Sequence, residues 1–240
     1  MSSNTTATPT PRIVELRHNI LKKNDHLARA LRQRFAEAGV FVVNVVSSPG
    51  SGKTALLERT LTTLAPKLSL ATLVGDLATD NDATRLAKSG TKVKQIETGT
   101  LCHLEAEMIG SYLEDWDLTE IDLLVIENVG NLVCPSSYDL GEDSRVAIFS
   151  TTEGEDKPLK YPTLINSADV AIISKMDLAE AVEFDRVQMH ASLQAMRPDI
   201  RIFETSAKTG AGLEDWYDWL EQRVLAKKQH QPNSTTIKEA

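Results

Sequence analysis

The sequence predicts an α/β fold in which a mainly parallel sheet is covered by helices on both faces. Two observations support this prediction: seven short runs are apolar or β-branched over much of their length, and helical patterns lie between most of them. Strands that are apolar throughout are buried on both faces, which is typical of parallel sheets joined by crossover helices. The chain has 240 residues, enough for one large α/β domain with a full hydrophobic core.

The predicted elements follow one another along the chain. Residues 1–11 are rich in Ser, Thr, Asn and Pro, which predicts a disordered N-terminal segment. An N-terminal helix is predicted over 12–38, because apolar residues recur there at helical spacing: Leu16, Ile20, Leu27, Leu31 and Phe35. The main domain is expected over 39–228, followed by a flexible tail over 229–240. Its predicted strands are 40–46, 68–75, 92–97, 121–127, 145–151, 169–175 and 200–206, and its main predicted helices are 54–65, 103–115, 178–196 and 213–227.

Composition and charge argue against several classes of protein. The chain is 41% hydrophobic and 25% charged, which is typical of a globular protein, and its net charge of −8 argues against a nucleic-acid-binding protein. We expect no membrane partner, because no apolar stretch is long enough to span a bilayer. We expect no secretory signal, because the first residues are not a charged segment followed by an apolar one. Cys102 and Cys134 lie too far apart in the sequence to suggest a disulfide framework, so a cytoplasmic, reduced protein with available thiols is expected.

The first predicted strand runs into SSPGSGKT, residues 47–54, and a helical segment follows. This nearly matches the phosphate-loop pattern G-x-x-x-x-G-K-[ST], with Ser47 at the first glycine position. In such a loop, glycines let backbone amides approach phosphate oxygens, the lysine supplies positive charge, and the hydroxyl of Thr54 can bind Mg²⁺. The pattern predicts a P-loop nucleotide-binding site made by Gly50, Ser51, Gly52, Lys53, Thr54 and Ala55.

A second motif, SKMD, follows the strand predicted at 169–175. It resembles the N-K-x-D guanine motif of GTPases, with Ser174 in place of Asn, a shorter side chain that we expect to lose one bracing contact. The carboxylate of Asp177 can accept both hydrogen bonds that guanine donates from one edge, which adenine cannot match, and the stem of Lys175 can cover the base. A later S-A-K segment resembles the loop that supports the guanine carbonyl oxygen, and it consists of Ser206, Ala207 and Lys208.

Carboxylates at strand ends are candidates for Mg²⁺ and for orienting water. Glu127 ends a buried strand, and the amide of Gly130 is expected to meet the γ-phosphate, as in the D-x-x-G motif of GTPases. Asp76, at the end of another strand, is the preferred second carboxylate, although Asp80 and Asp82 stay open as alternatives, because Mg²⁺ takes only one or two carboxylates beside phosphates. Lys53, Asp76 and Glu127 are the predicted catalytic residues, and Thr54, Asp76 and Glu127 the predicted magnesium residues.

Two scarce thiols and one histidine suggest a further metal site. Cys102 and His103 are adjacent, and Cys134 lies just beyond Gly130, in the segment expected to move with the γ-phosphate. A buried thiol is usually a small hydrophobic residue, so it is this position beside a nucleotide switch that favours a metal site. Two thiolates and an imidazole suit Zn²⁺ or Ni²⁺, with a fourth position open. The pair is expected at the start of the helix after the third strand or in a loop, because adjacent residues within a regular helix seldom bind one metal.

The sequence resembles the hydrogenase-maturation nickel-insertion GTPases, the HypB family, from the phosphate loop to the final helices. The phrases that carry the resemblance are SSPGSGKT, GTLCHLEAEM, ENVGNLVCP, STTEGEDKPLKYP and SKMDL. It implies slow GTP hydrolysis to GDP, a GTP-dependent homodimer, and a nickel or zinc site of Cys102, His103 and Cys134 at the interface. It also implies a HypA-like nickel metallochaperone and the precursor of the [NiFe]-hydrogenase large subunit as partners. Residues 1–40 hold only His18 and His26 and no cysteine, which argues against an N-terminal metal store.

Three alternatives stay open. A urease-maturation GTPase typically has a Cys-Pro-His motif, whereas here Cys102 and His103 are adjacent and Pro135 follows the other cysteine. A nucleotide kinase with a structural zinc is disfavoured by the guanine-type motifs. A nickel-responsive binding module with negligible turnover would be distinguished by single-turnover GTP hydrolysis.

Overall fold

The computed structural model describes residues 12–76 and 81–230, with side chains from residue 19 onward. The predicted disordered segment 1–11 and most of the predicted tail, residues 231–240, lie outside this part. Its strands are β1 (Phe41–Ser47), β2 (Leu70–Asp76), β3 (Lys92–Glu97), β4 (Leu123–Glu127), β5 (Ser144–Ser150), β6 (Val170–Ser174) and β7 (Arg201–Glu204). Its helices are α1 (Arg12–Ala38), α2 (Lys53–Leu64), α3 (Asn81–Ala87), α4 (Ala106–Tyr112), α5 (Lys157–Lys160), α6 (Pro162–Ser167), α7 (Arg186–Met196) and α8 (Leu213–Gln229).

The strands form one sheet in the order β3-β2-β4-β1-β5-β6-β7, and every pairing is parallel. Strand β1 is central, and the chain order reverses beside it. Because Val45 pairs with Glu127, the carboxyl ends of β1 and β4 lie level with each other. Ligands of open α/β sheets bind at this edge, where the strand order reverses.

Alternate residues of β1 face opposite helical layers. Val43 and Val45 pack in the core under α2, α3 and α8, whereas Val42 packs with α1 and α4, and Val46 packs with α6 and α7. The predicted parallel sheet with helices on both faces is therefore confirmed. Among the described residues, no helix is both long enough and apolar enough to cross a membrane.

Some element boundaries differ from the sequence predictions. The helix predicted from residue 103 begins at Ala106, so that boundary was wrong, and Cys102 and His103 lie in the preceding loop, one of the two positions expected for the pair. The helix predicted from 178 begins at Arg186, because the carboxylate of Asp185 caps it by accepting the backbone N–H of Gln188 at 2.9 Å. Helices α3, α5 and α6 were not predicted.

Candidate nucleotide site and metal centre

The phosphate-loop motif lies between β1 and α2, at the carboxyl edge of the sheet. Gly50 and Gly52 adopt positive φ angles of 75° and 94°, a backbone conformation that glycine adopts without strain. The loop lines a cavity of about 480 Å³ together with the ends of β2 and β4. The first turn of α2 opens onto the same cavity, and a helix N-terminus favours bound phosphate.

Glu127 connects the end of β4 to the phosphate loop. The side chain is fully buried, and its Oε1 atom accepts hydrogen bonds from Lys53 Nζ at 2.9 Å and from Thr54 Oγ1 at 2.7 Å. Its other oxygen, Oε2, is buried and has no hydrogen-bond partner within the described part of the chain. Because a buried carboxylate oxygen normally has a partner, this atom fits a site that is completed by Mg²⁺ or by water bound to it.

Two of the other three candidate carboxylates lie at the phosphate cavity. Asp76 and Asp82 line the cavity beside the phosphate loop, Asp76 from the end of β2 and Asp82 from the first turn of α3. Asp80 lies outside the described residues. The structure thus brings Asp76 to one cavity with Lys53 and Thr54, and Glu127 contacts these two residues from beneath it. The roles of both carboxylates toward Mg²⁺ stay predictions.

A second cavity of about 270 Å³ adjoins the first, with Gly52 and Ala55 lining both. It is also lined by Lys175, Asp177, Ala207 and Lys208, the residues predicted to read the base. Ser206 donates its hydroxyl hydrogen to Asp177 Oδ1 at 2.6 Å, which fixes the carboxylate at the cavity. The motifs at the ends of β6 and β7 therefore meet where a base attached to the bound phosphates would lie.

Two residues of the guanine-type motif also hold the phosphate loop. The hydroxyl of Ser174 donates to the carbonyl oxygen of Ser51 at 2.6 Å, so this residue braces the loop although it replaces the usual Asn. Lys175 donates from Nζ to the carbonyl oxygen of Gly50 at 2.6 Å. Its stem passes close to Gly52, where an added Cβ would lie 3.7 Å from its Cε. The segments predicted to read the base and to bind phosphate are thus joined directly.

Gly130 lies against the phosphate loop from the other side. A Cβ atom at this position would lie 3.1 Å from Pro49 Cγ and 3.3 Å from the Pro49 backbone, so a larger residue would push the two segments apart. This close approach places the segment after Glu127 where Gly130 borders the phosphate cavity. The geometry is consistent with the predicted role of Gly130 toward the γ-phosphate.

Glu153 is a support of the phosphate loop that was missed in the sequence. Its Oε1 atom accepts hydrogen bonds from Lys157 Nζ at 2.5 Å and from the hydroxyl of Ser48, and its Oε2 atom accepts the Ser150 N–H at 2.8 Å. Burial alone would raise the pKa of Glu153, but these hydrogen bonds and the charge of Lys157 outweigh burial and lower it. The S-x-x-E capping-box pattern at 150–153 was the available signal.

Cys102, His103 and Cys134 come together within a single chain. Their ligand atoms all lie within 4.8 Å of one another, and the two sulfur atoms are 2.9 Å apart. The hydrogen bond to Cys134 and burial raise the pKa of the Cys102 thiol, which therefore favours the protonated form until a metal displaces the proton. Two sulfur donors and one imidazole nitrogen fit Zn²⁺ or Ni²⁺.

Residues around this cluster fix its imidazole and its loop. The ring of His103 packs against Tyr138 with 3.9 Å between centroids, and its Nε2 atom lies 3.3 Å from a carboxylate oxygen of Glu105. Asn131 Nδ2 donates to the carbonyl oxygen of Cys102 at 3.2 Å, which joins the two cysteine-bearing loops. A carboxylate on the second nitrogen is the usual way to orient a metal-binding histidine. Sequence reasoning missed these partners, because no motif spacing links them.

Comparison with known proteins places this geometry in a family. A family model described as "CobW/HypB/UreG, nucleotide-binding domain" matches residues 21–204. A hydrogenase maturation factor HypB from Azotobacter vinelandii is 47% identical over 212 residues, covering 88% of this chain and 70% of the relative. A hydrogenase/urease maturation factor HypB from Helicobacter pylori (strain ATCC 700392 / 26695) is 43% identical over 228 residues, covering 92% and 91%.

Solved structures agree with the sequence relatives. HypB from Helicobacter pylori in complex with nickel is 42% identical with a TM-score of 0.80, covering 88% of this chain and 98% of that one. The hydrogenase maturation factor HypB from Archaeoglobus fulgidus is 40% identical with a TM-score of 0.79, covering 85% and 99%. The signal recognition particle 54 kDa protein from Aeropyrum pernix, 16% identical with a TM-score of 0.53, shares the fold alone. The resemblance inferred from the sequence is confirmed, and the chain belongs to the HypB family of hydrogenase maturation factors.

Proposed function

We propose that this protein is a metal-regulated GTPase that binds nickel or zinc and takes part in nickel insertion during [NiFe]-hydrogenase maturation. One observation carries the proposal: residues 127–134 hold both Glu127, which contacts Lys53 and Thr54 of the phosphate loop, and Cys134 of the three-ligand cluster. A nucleotide that changes the contacts of Glu127 acts on the segment that bears a metal ligand. The two sites therefore share one short piece of chain.

The residues of the phosphate loop act by binding and orienting the nucleotide. Lys53 exchanges Glu127 for the β- and γ-phosphates, and the hydroxyl of Thr54 would hold Mg²⁺, which would neutralise charge on the γ-phosphoryl group. Glu127 and Asp76 then accept hydrogen bonds from water at the γ-phosphate. We expect slow hydrolysis, because Arg85, which lines the cavity, has its guanidinium paired with Glu58 at 2.6 Å.

The second cavity favours GTP over ATP. Asp177, held by Ser206, accepts the two hydrogen bonds that guanine donates, whereas adenine would leave this carboxylate without those partners. The backbone of Ala207 and the side chains of Lys175 and Lys208 complete the base site. The specificity of the proposed GTPase thus depends on one carboxylate that its neighbours hold in place.

The three-ligand cluster leaves a fourth position on the metal open. Val133, beside Cys134, is 60% exposed, and Leu101, beside Cys102, is 37% exposed, so each cysteine has an exposed apolar neighbour. These features support a homodimer that forms with GTP and has the cluster at its interface. The nickel in the structure of the Helicobacter pylori relative supports nickel as the cargo. The proposed partners are a HypA-like metallochaperone and the hydrogenase large-subunit precursor, in the cytoplasm.

A single set of measurements on the full chain tests this function. Single-turnover release of phosphate is measured with GTP and with ATP, and nickel and zinc are titrated into wild type and Cys102→Ser. Hydrolysis selective for GTP, with metal binding that Cys102→Ser weakens, would support the proposal. Transfer of the phosphoryl group to an added nucleoside monophosphate would identify a kinase instead. Metal binding without any phosphate release would identify a binding module.

Urease maturation is the second candidate, because the Helicobacter pylori relative is a hydrogenase/urease maturation factor. Both functions use the same nucleotide and the same metal, so the site alone does not separate them. The test is to incubate the nickel-loaded protein with GTP and either hydrogenase large-subunit precursor or urease apoprotein. Nickel incorporated only into urease would replace the first candidate with the second.

A further inference from the structure

A buried chain of polar side chains runs beneath the metal cluster. Asn128 directly follows Glu127 and is fully buried. Its Oδ1 atom accepts the backbone N–H groups of Leu104 at 3.3 Å and Val129 at 2.9 Å, and its Nδ2 atom donates to Asn44 Oδ1 at 3.1 Å. One side chain thus connects the end of β4, the centre of β1 and the loop that bears Cys102 and His103.

The chain continues from Asn44 to the second cysteine-bearing loop. Asn44 Nδ2 donates to Glu142 Oε1 at 3.1 Å, and the same oxygen accepts from Arg145 Nε at 2.9 Å and Nη2 at 2.6 Å. Arg145 in turn donates to the carbonyl oxygens of Ser136 at 2.9 Å and Tyr138 at 2.7 Å. These carbonyls lie just after Cys134, so both loops of the cluster are held by one hydrogen-bonded chain.

The direction of every hydrogen bond in this chain is set from one end. Glu142, paired with Arg145, only accepts, so Asn44 must turn its NH₂ group toward it and its oxygen toward Asn128. Asn128 must then donate to Asn44, which leaves its oxygen for the two backbone N–H groups. Neither amide can turn over without placing two acceptors or two donors face to face, a costly arrangement away from water. These hydrogen-bonded side chains therefore have one stable arrangement for a given position of the first and last residues.

We propose that Asn44 and Asn128 are positioning residues that couple the nucleotide state to the metal cluster, an inference that rests on the proposed function. When nucleotide binds, Glu127 loses its hydrogen bonds to Lys53 and Thr54, and Asn128 shifts with it because one peptide bond joins them. The shift reaches Leu104 through Asn128 Oδ1, and it reaches the second cysteine-bearing loop through Asn44. Metal–ligand bonds are short and directional, so a small displacement of either loop changes metal affinity.

Asn24 of α1 provides a matched control inside the same molecule. It is also a nearly buried asparagine, 4% exposed, and it joins the same two regions from the outside. Its Nδ2 atom donates to the carbonyl oxygen of Asp139 at 2.8 Å, and its Oδ1 atom accepts the N–H of Ala106 at 2.9 Å. None of its described hydrogen bonds reaches β4 or the phosphate loop. Loss of Asn24 should loosen the cluster equally in every nucleotide state.

The experiment compares nickel affinity in two nucleotide states for the full chain and its variants. Nickel is titrated with GDP and with a non-hydrolysable GTP analogue, and the thiolate-to-nickel charge-transfer absorption reports binding. We expect the two wild-type affinities to differ by about 5- to 150-fold, a typical coupling. Asn44→Val should reduce this ratio to less than about 2-fold, whereas Asn24→Ala should change both affinities by one factor and preserve the ratio.

A second variant keeps the test decisive if Asn44→Val does not fold. Asn128→Asp retains the oxygen that accepts from Leu104 and Val129 but sets an oxygen against Asn44 Oδ1, so it should also reduce the ratio. A wild-type ratio retained in both Asn44→Val and Asn128→Asp would overturn the inference while leaving the proposed function intact. A ratio lost equally in Asn24→Ala would overturn it too, since general loosening would then explain the result. Equal nickel affinities of wild type with GDP and with the GTP analogue would overturn both the proposed metal regulation and the proposed role of Asn44 and Asn128.

Discussion

The nucleotide site and the thiol–imidazole cluster lie at the same edge of the sheet but are held there in different ways. The nucleotide residues extend from the ends of strands and the first turn of a helix, and Lys53 and Glu127 are buried and paired. The cluster lies on two loops, its cysteines are half-buried, and Val133 next to Cys134 is largely exposed. Side-chain hydrogen bonds to backbone, such as those of Asn131 and Asn128, hold these loops.

This difference suggests that the nucleotide site and the metal cluster have different roles in regulation. A site fixed by strands and a helix terminus has few alternative backbone arrangements, so a nucleotide that separates Glu127 from Lys53 and Thr54 produces one defined change. A site on loops held by a few hydrogen bonds can adopt a second arrangement at small cost, and regions that respond to ligands are drawn from such parts of a protein. We infer that the nucleotide site supplies the signal and the cluster responds to it.

The largest effect is expected from Lys53→Ala, which removes the cation at the centre of the rigid site. If Lys53 is the proposed counter-charge to the phosphates, GTP turnover should fall by about 10³-fold or more. Glu127 would also lose its charge partner in a buried position, so the free energy of unfolding should fall by roughly 3–5 kcal/mol. Phosphate release and urea unfolding measure the two effects.

Lys92→Ala is the control for this change. Lys92 forms an exposed ion pair with Glu120, with side chains 49% and 65% exposed, outside both the phosphate cavity and the base cavity. Such an exposed pair contributes at most about 1 kcal/mol to the free energy of unfolding. Because Lys92 lines neither cavity, turnover should be unchanged. Full turnover in Lys53→Ala would contradict the assignment of residues 47–54 as a phosphate loop. It would also contradict the comparison of the nucleotide site with the metal cluster, which depends on that assignment.

The next effect is expected from Cys134→Ser, which alters the cluster and leaves the rigid site intact. A hydroxyl is a poorer ligand than a thiolate for Zn²⁺ or Ni²⁺, so metal affinity should fall by about 10²-fold or more. Nucleotide affinity measured without metal should match wild type, because Cys134 is not among the residues lining the phosphate cavity. Metal affinity equal to wild type would show that the three ligand atoms meet without serving as a metal site.

The same contrast explains how much could be predicted from the sequence. The parallel sheet, the phosphate loop and the base-reading motifs follow from local patterns, because a buried strand, a glycine turn and a helix start lie together in the sequence. The proximity of Gly52 to Lys175 also follows, since parallel strands end at one edge of the sheet. This half of the site is encoded by short motifs.

The support of the cluster could not be predicted in the same way. Cys102 and Cys134 were selected by their rarity and by family resemblance, but the pairing of Asn128 with Leu104 and the stacking of His103 on Tyr138 depend on how two loops fold back. A hydrogen bond between residues far apart in sequence leaves no spacing pattern. For the same reason the helix after β3 was predicted to begin too early, at residue 103 instead of Ala106.

A smaller effect is expected from Asp177→Asn, which changes the base site. The new NH₂ group faces a donor of guanine, so GTP affinity should fall by about 10- to 100-fold, the loss expected for one hydrogen bond to a charged group. Xanthosine triphosphate should become relatively better, because its base offers a carbonyl where guanine has its amine. Competition between the two nucleotides measures the change, and an undiminished preference for GTP would exclude Asp177 as the base reader.

The smallest effect is expected from Glu153→Gln, which removes one charge that supports the phosphate loop. The pKa of Glu153 is lowered in the folded protein, so its ionised form stabilises the fold above the ordinary value of 4.5. That stabilisation is lost as the pH falls through the lower, folded value. At neutral pH the variant should be less stable by about 1–2 kcal/mol, since it loses a hydrogen bond to a charged partner, Lys157.

Urea unfolding of both proteins at neutral pH and at an acidic pH well below 4.5 checks this sign. The difference should shrink in acid, where protonation of Glu153 makes wild type resemble the variant. Glu114→Gln, at an exposed position, should show no difference at either pH. Metal affinity should not change, because Glu153 contacts the phosphate loop through Ser48 and has no described contact with the cluster. A stability difference that is the same at both pH values would show that the Glu153–Lys157 charge pair does not stabilise the fold. A change in metal affinity would show that this part of the phosphate loop is not as rigid as the contrast between the two regions requires.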